Sequence, residues 1–109
     1  MNDIILEMEE KNNSDHLNVL RKIKSKPDFS QRKMAEELGF SVGKLNYCLK
    51  ELNKKGLIKI QNFKMSKNKL NYLYYLTPKG AAEKTKLTIS FMKRKMKEYE
   101  ELKKELSKN

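Results

Sequence analysis

The chain has 109 residues, of which 38% are hydrophobic and 36% charged, enough for one small helical domain whose thin core would gain burial by pairing with a second copy. Its net charge of +11 is uneven: residues 1–29 carry five basic and six acidic side chains, 30–76 ten and three, and 77–109 ten and five, a distribution that attracts polyanions to the middle and C-terminal thirds. A single cysteine excludes an internal disulfide, no apolar run approaches the ~20 residues of a membrane span, and the first residues lack the pattern of a signal peptide, so a reducing, cytoplasmic location is expected.

Residues 1–13 read as an N-terminal arm or short helix, polar except for Ile4, Ile5, Leu6 and Met8. Asn12-Asn13-Ser14 reads as a break, with Ser14 or Asp15 as an N-cap. Leu17, Leu20 and Ile23 then recur at helical spacing with Val19 beside them, and Pro27 requires this helix to stop before it. Ser30 is a second N-cap, followed by Met34, Ala35 and Leu38 on one face and by Gly39 where a helix C′ residue needs positive φ. Ser41 is a third N-cap. Leu45, Cys48, Leu49 and Leu52 follow at i, i+3, i+4 and i+7, and Gly56 ends this helix after Lys54-Lys55.

The period then changes. Leu57, Ile58, Ile60 and Phe63 form a strand, residues 64–69 a polar basic connection, and Leu70 to Leu76 a second strand. Tyr72 and Tyr74 share one face of it, and Leu73 and Tyr75 the other. Thr77-Pro78 is a helix start, an N-cap threonine before proline at N1. No proline follows to Lys108, which allows a helix of up to ~30 residues, about 45 Å long. Ile89, Met92, Met96, Tyr99 and Leu106, with Leu102 or Lys103 between, follow alternating steps of three and four, a heptad-like seam for a partner helix.

Two helices joined by Gly39-Phe40-Ser41 and followed by a basic hairpin describe a winged helix-turn-helix. The expected fold is mainly α with a small β-hairpin and a long C-terminal helix: residues 14–80 form the DNA-binding domain and 81–109 the dimerisation helix, with Ile89, Met92, Met96, Tyr99, Leu102 and Leu106 at the dimer interface. The third helix turns Leu45, Leu49 and Leu52 inward and so presents Gly43, Lys44, Asn46, Tyr47 and Lys50, with Glu51 on the flank. Gly43 permits close approach to a surface. Asn46 can bond an adenine edge twice, Lys44 and Lys50 can reach guanine or phosphate, and Tyr47 can pack on a thymine methyl or bond a phosphate. Ser41 and its neighbouring N–H groups can hold a phosphate. Ser30, Gln31 and Arg32 at the start of the second helix, and Lys64, Lys67, Asn68 and Lys69 at the hairpin tip, complete the expected DNA contacts.

Catalysis finds no support. His16, the only histidine, is expected on the surface of the first helix, and Cys48 at the buried edge of the third as a small core residue. One cysteine and one histidine cannot build a first-row metal site within one chain, no phosphate-binding glycine loop is present, and no metal or cofactor is expected. The expected partners are double-stranded DNA and a second copy of the chain, with no membrane, and no small-molecule effector is assigned. A winged-helix protein-interaction module is the alternative, which the charge over residues 30–76 disfavours. An RNA-binding module using Tyr72, Tyr74 and Tyr75 is a third reading, though alternating strand tyrosines more often serve packing.

The run from Ser30-Gln31 through Ala35-Glu36-Glu37-Leu38-Gly39-Phe40-Ser41 to Val42-Gly43-Lys44-Leu45-Asn46-Tyr47-Cys48-Leu49-Lys50 resembles the MarR family of winged-helix regulators. The latter run, with Lys55-Gly56-Leu57-Ile58-Lys59, Asn62-Phe63, Asn68-Lys69-Leu70, Leu76-Thr77-Pro78-Lys79-Gly80, Leu87-Thr88 and Phe91-Met92-Lys93-Arg94-Lys95, is similar to the branch associated with extracellular-polysaccharide genes. The resemblance covers roughly residues 15–106. It implies a homodimer, DNA binding through the third helix and the wing, and transcriptional regulation. This chain is shorter than a typical member, and is expected to lack the longer helical extensions that usually form the dimer interface and the ligand pocket.

Overall fold

The computed structural model describes residues 2–66 and 69–108, with only the backbone described at residues 2, 62–66 and 69–71. The element order is α1 (Asn2–Ser25), α2 (Gln31–Leu38), α3 (Val42–Lys54), β1 (Ile58–Ser66), β2 (Lys69–Leu76) and α4 (Pro78–Lys108). This is the mainly helical architecture with one hairpin that the sequence predicts.

The core lies where α1, α2, α3 and the base of the hairpin meet. Val19, Leu20 and Ile23 of α1 close on Met34 and Ala35 of α2 and on Leu45, Cys48, Leu49 and Leu52 of α3, with Leu57, Ile58 and Tyr74 sealing one end. Apolar stripes at helical spacing on three helices cannot be buried singly, and each supplies the apolar surface that the others need. The hairpin is antiparallel, with Ile58 opposite Leu76 and Ile60 opposite Tyr74. Its pairing extends further than the sequence suggests: Lys64 pairs with Leu70 and Ser66 with Lys69, so most of the expected 64–69 connection belongs to the strands. Continued ladder bonding holds these polar residues, whose side-chain chemistry by itself reads as loop. One backbone bond, from Tyr74 N to Pro27 O at 3.2 Å, ties the α1–α2 turn to β2.

Two expectations for α1 are corrected. The helix runs without a break from Asn2 to Ser25, so Asn12-Asn13-Ser14 does not end a segment and neither Ser14 nor Asp15 is an N-cap. Asparagine and serine cost a helix only tenths of a kcal/mol, and α4 runs antiparallel beside this stretch. Arg94 pairs with Glu10 at 3.3 Å, and Asn13, Ser14 and Leu17 share a cleft with Leu87 and Phe91. The second correction is His16, which is 96% withdrawn from solvent. It precedes Leu20 by four residues and Ile23 by seven, and therefore lies on the buried stripe of α1 despite its polar sequence neighbours.

Thr77 caps α4 as predicted, its Oγ1 accepting from Gly80 N at 2.9 Å. The α1–α4 pair forms an arm that leaves the core, and the molecule measures 66 × 28 × 25 Å.

Candidate nucleic-acid interface

The helix-turn-helix is built by caps. Ser30 Oγ accepts from Lys33 N at 3.2 Å and starts α2. Gly39 at φ 71° ends it, with Gly39 N bonding Glu36 O at 3.2 Å and Phe40 N bonding Ala35 O at 2.9 Å. An L side chain is strained at such a φ, which is why the turn uses glycine. Ser41 Oγ then accepts from Lys44 N at 3.0 Å and starts α3 two residues after the turn.

The faces of α3 divide as its spacing predicts. Leu45, Cys48, Leu49 and Leu52 are buried, while Gly43, Tyr47 and Lys50 are exposed and Lys44, Asn46 and Glu51 half-buried. Gly43 has ordinary helical φ, and a Cβ there would meet nothing within 4 Å. The fold does not require this glycine, although the residue weakens a helix by about 1 kcal/mol relative to alanine.

Two of the candidate reading side chains are already engaged. Lys44 Nζ pairs with Asp15 Oδ2 of α1 at 3.2 Å and sits 4.2 Å from the centre of the Phe40 ring. Tyr47 donates its hydroxyl to Glu51 Oε1 at 2.9 Å, and Glu51 also pairs with Lys55 at 3.6 Å. The Tyr47–Glu51 bond raises the phenol pKa and holds the Glu51 carboxyl below its usual range. Tyr47 therefore presents its ring outward, and its hydroxyl would have to leave Glu51 before it could bond a phosphate. Among the described residues no side-chain bond engages Asn46 or Lys50.

Ser30, Gln31 and Arg32 lie together at the α2 N-terminus, with Ser30 and Arg32 exposed and Gln31 half-buried. At the wing, Lys64 and Lys69 fall on the paired strands, and Lys67 and Asn68 lie outside the described residues. Phe40 and Asp15 are the participants that sequence reasoning missed as such. The spacing of Tyr47 and Glu51, i and i+4, did carry a local signal. The Asp15–Lys44 pair spans 29 positions and carried none.

Cys48 is a buried core residue, and burial pushes its thiol pKa up, away from a reactive thiolate. His16 lines a small cleft with Asn13, Lys55, Leu57, Lys79, Glu83 and Leu87, and its Nε2 has no hydrogen-bond partner among the described residues. Burial lowers its pKa, Lys55 adds to the lowering, and Glu51, Asp15 and Glu83 oppose it. Far from this face, Ile89, Met92, Met96, Tyr99, Leu102 and Leu106 line α4 with 49–77% of their surface exposed. Leu87, Phe91 and Arg94 are the residues that α4 turns toward α1, and Ile89, Met92 and Met96 fall on a different side of the helix. Ile4, Ile5, Leu6 and Met8 of α1 are exposed as well. No helix among the described residues is long and apolar enough to cross a membrane, and no three or more His, Cys, Asp or Glu among them cluster as metal ligands.

Residues 16–59 match the family described as winged helix-turn-helix DNA-binding. No curated protein matches the chain. Among solved structures, the PcaV transcriptional regulator of Streptomyces coelicolor with its natural ligand is similar at TM-score 0.65 and 20% identity, over 73% of this chain and 55% of that one. This chain thus spans little more than half the length of that regulator. A Staphylococcus aureus MepR mutant bound to an oligodeoxyribonucleotide is similar at TM-score 0.61 and 18% identity, over 98% and 90% of the two chains. An E. coli MarR mutant complexed with operator DNA follows at TM-score 0.57 and 19% identity, over 79% and 69%. Residues 16–59 match the winged helix-turn-helix DNA-binding family, the hairpin that follows supplies the wing, and the chain has the fold of solved MarR-family regulators.

Proposed function

We propose that the protein is a sequence-specific double-stranded DNA-binding transcriptional regulator of the MarR type that acts as a homodimer. The observation that carries this reading is the outer face of α3. Leu45, Cys48, Leu49 and Leu52 anchor the helix, while Asn46, Tyr47 and Lys50 stand outward beside a glycine that the fold does not need. A helix so anchored can enter a major groove, with its N-terminal residues at the base edges. In this reading residues 14–80 bind DNA, with Ser30, Gln31, Arg32, Ser41 and the wing lysines on the backbone. Residues 81–109 pair two copies through the exposed stripe from Ile89 to Leu106, and α1 adds Ile4, Ile5 and Met8 to the same arm. Two recognition helices would then meet half-sites about one helical turn, ~34 Å, apart. Regulation of polysaccharide genes rests on the sequence resemblance alone.

The test is selection from random-sequence duplex DNA at two salt concentrations, with Asn46→Ala alongside. Enrichment of a pseudo-palindrome that Asn46→Ala relaxes supports the reading. Weak, unselective binding lost in modest salt favours a protein-interaction module instead.

A further inference from the structure

We infer that Asp15 is a positioning residue that restrains Lys44 from DNA, so that reading by the α3 N-terminus falls to Asn46 and Tyr47; this rests on the DNA-binding reading above. Lys44 is the first long cation on the outer side of the recognition helix and, unheld, would be its natural guanine or phosphate ligand. It is held at two points from two other parts of the chain. Asp15 Oδ2 on α1 lies 3.2 Å from its ammonium, and the Phe40 ring from the turn lies 4.2 Å away. The Asp15 side chain is only 18% exposed, so this pair is less open to solvent screening than a surface ion pair. Its acidic partner is carried by a different helix, so the hold is a tertiary contact and is set by where α1 packs.

For Lys44 to reach DNA it must leave both the carboxylate and the ring. Asn46 and Lys50 on the same face carry no such restraint among the described residues. Tyr47 is held by Glu51 within its own helix, which fixes its ring without withdrawing it. The α3 N-terminus therefore reads with an amide and an aromatic face, a pair suited to adenine and to the thymine methyl and not to guanine. Asp15 thereby keeps the helix from gaining a general affinity for phosphate.

The experiment is a double-mutant cycle on the full-length protein, with Asp15→Asn and Lys44→Gln singly and together. Binding to the selected duplex is measured across a salt series. Lys44→Gln alone is expected to change affinity less than about twofold, since the side chain is not on DNA. Asp15→Asn is expected to tighten binding on the order of fivefold, to steepen the salt dependence by about one contact, and to admit G·C at a position selected as A·T. The double variant is expected to return to wild type. A gain from Asp15→Asn that persists with Lys44→Gln would mean simple removal of a negative charge and would overturn the inference. A large loss from Lys44→Gln alone would overturn it also.

A readout without DNA separates this proposal from the regulator reading. In the free protein, an amine-acylating reagent should modify Lys44 more slowly than Lys50, and Asp15→Asn should bring the two rates together. Equal rates in the wild type would sink the clamp even if the DNA is selected. Unequal rates with no DNA selected by any variant would sink the DNA role of the clamp together with the regulator reading. Thermal denaturation of each variant shows that it is folded.

Discussion

Gly80 lies flush against the backbone of Leu57, so that a Cβ placed on it would overlap the Leu57 carbonyl oxygen and stand 2.8 Å from the carbonyl carbon. This contact seats α4 on the turn between α3 and β1. It is reinforced by Thr77, which donates its hydroxyl to Gly56 O at 2.6 Å and its N–H to Leu57 O at 3.1 Å, and by Lys79 Nζ on Lys55 O at 3.1 Å. Backbone cannot rotate aside as a side chain can. Gly80→Ala is therefore expected to cost about 3 kcal/mol or more and to lower Tm on the order of 10 °C. An unchanged melting curve would show that α4 can shift off this seat.

Gly43 is the opposite case. With nothing within 4 Å of its missing Cβ, Gly43→Ala should stabilise the free protein by up to about 1 kcal/mol through helix propensity. The same substitution should weaken DNA binding, because the added methyl stands on the face proposed to approach the duplex. Denaturant unfolding and duplex affinity measured on one preparation must then move in opposite directions. Unweakened binding would remove Gly43 from the interface.

On the outer face of α3, if it reads DNA as proposed, Asn46→Ala should cost about 1–3 kcal/mol of discrimination at one base pair, with little effect on unselected DNA. Lys50→Ala should weaken binding to all sequences alike and reduce the salt dependence by about one contact. A mutant pair showing the reverse pattern would exchange the two roles.

His16 makes stability pH-dependent, and the sign follows from burial. Its folded pKa lies below the ordinary 6.5, so the unfolded chain binds the proton more readily than the native state. Its contribution is complete above pH 6.5 and is lost as the pH falls from there toward the lowered folded value. Denaturant unfolding at pH 7.5 and at about pH 5.5 should show lower stability at the lower pH. His16→Leu should flatten that slope, and a slope that survives the substitution would assign it to other groups.

The exposed stripe of α4 predicts the assembly. For the homodimer proposed above, Met92→Glu with Met96→Glu should give a monomer in sedimentation equilibrium. The melting of the helix-turn-helix core should change little, because neither residue touches it. A wild type that sediments as a monomer at every concentration would count against pairing through this face.

Much of the fold follows from local rules acting on this sequence alone. The caps at Ser30, Ser41 and Thr77, the positive φ of Gly39 and the buried stripe of Leu45, Cys48, Leu49 and Leu52 each depend on residues within a turn or two of one another. Helix periodicity and capping chemistry act over that range, and so the outer face of α3 was legible too. Tertiary structure decided what local signals left open or suggested wrongly. It carried α1 through Asn12-Asn13-Ser14 by laying α4 alongside, extended the hairpin into its polar end, and buried His16 beneath α3 and α4. It also brought Asp15 onto Lys44 across 29 positions of chain. The physical reason is common to all four. A weak local preference, worth tenths of a kcal/mol per residue, yields to burial or pairing with an element distant in sequence.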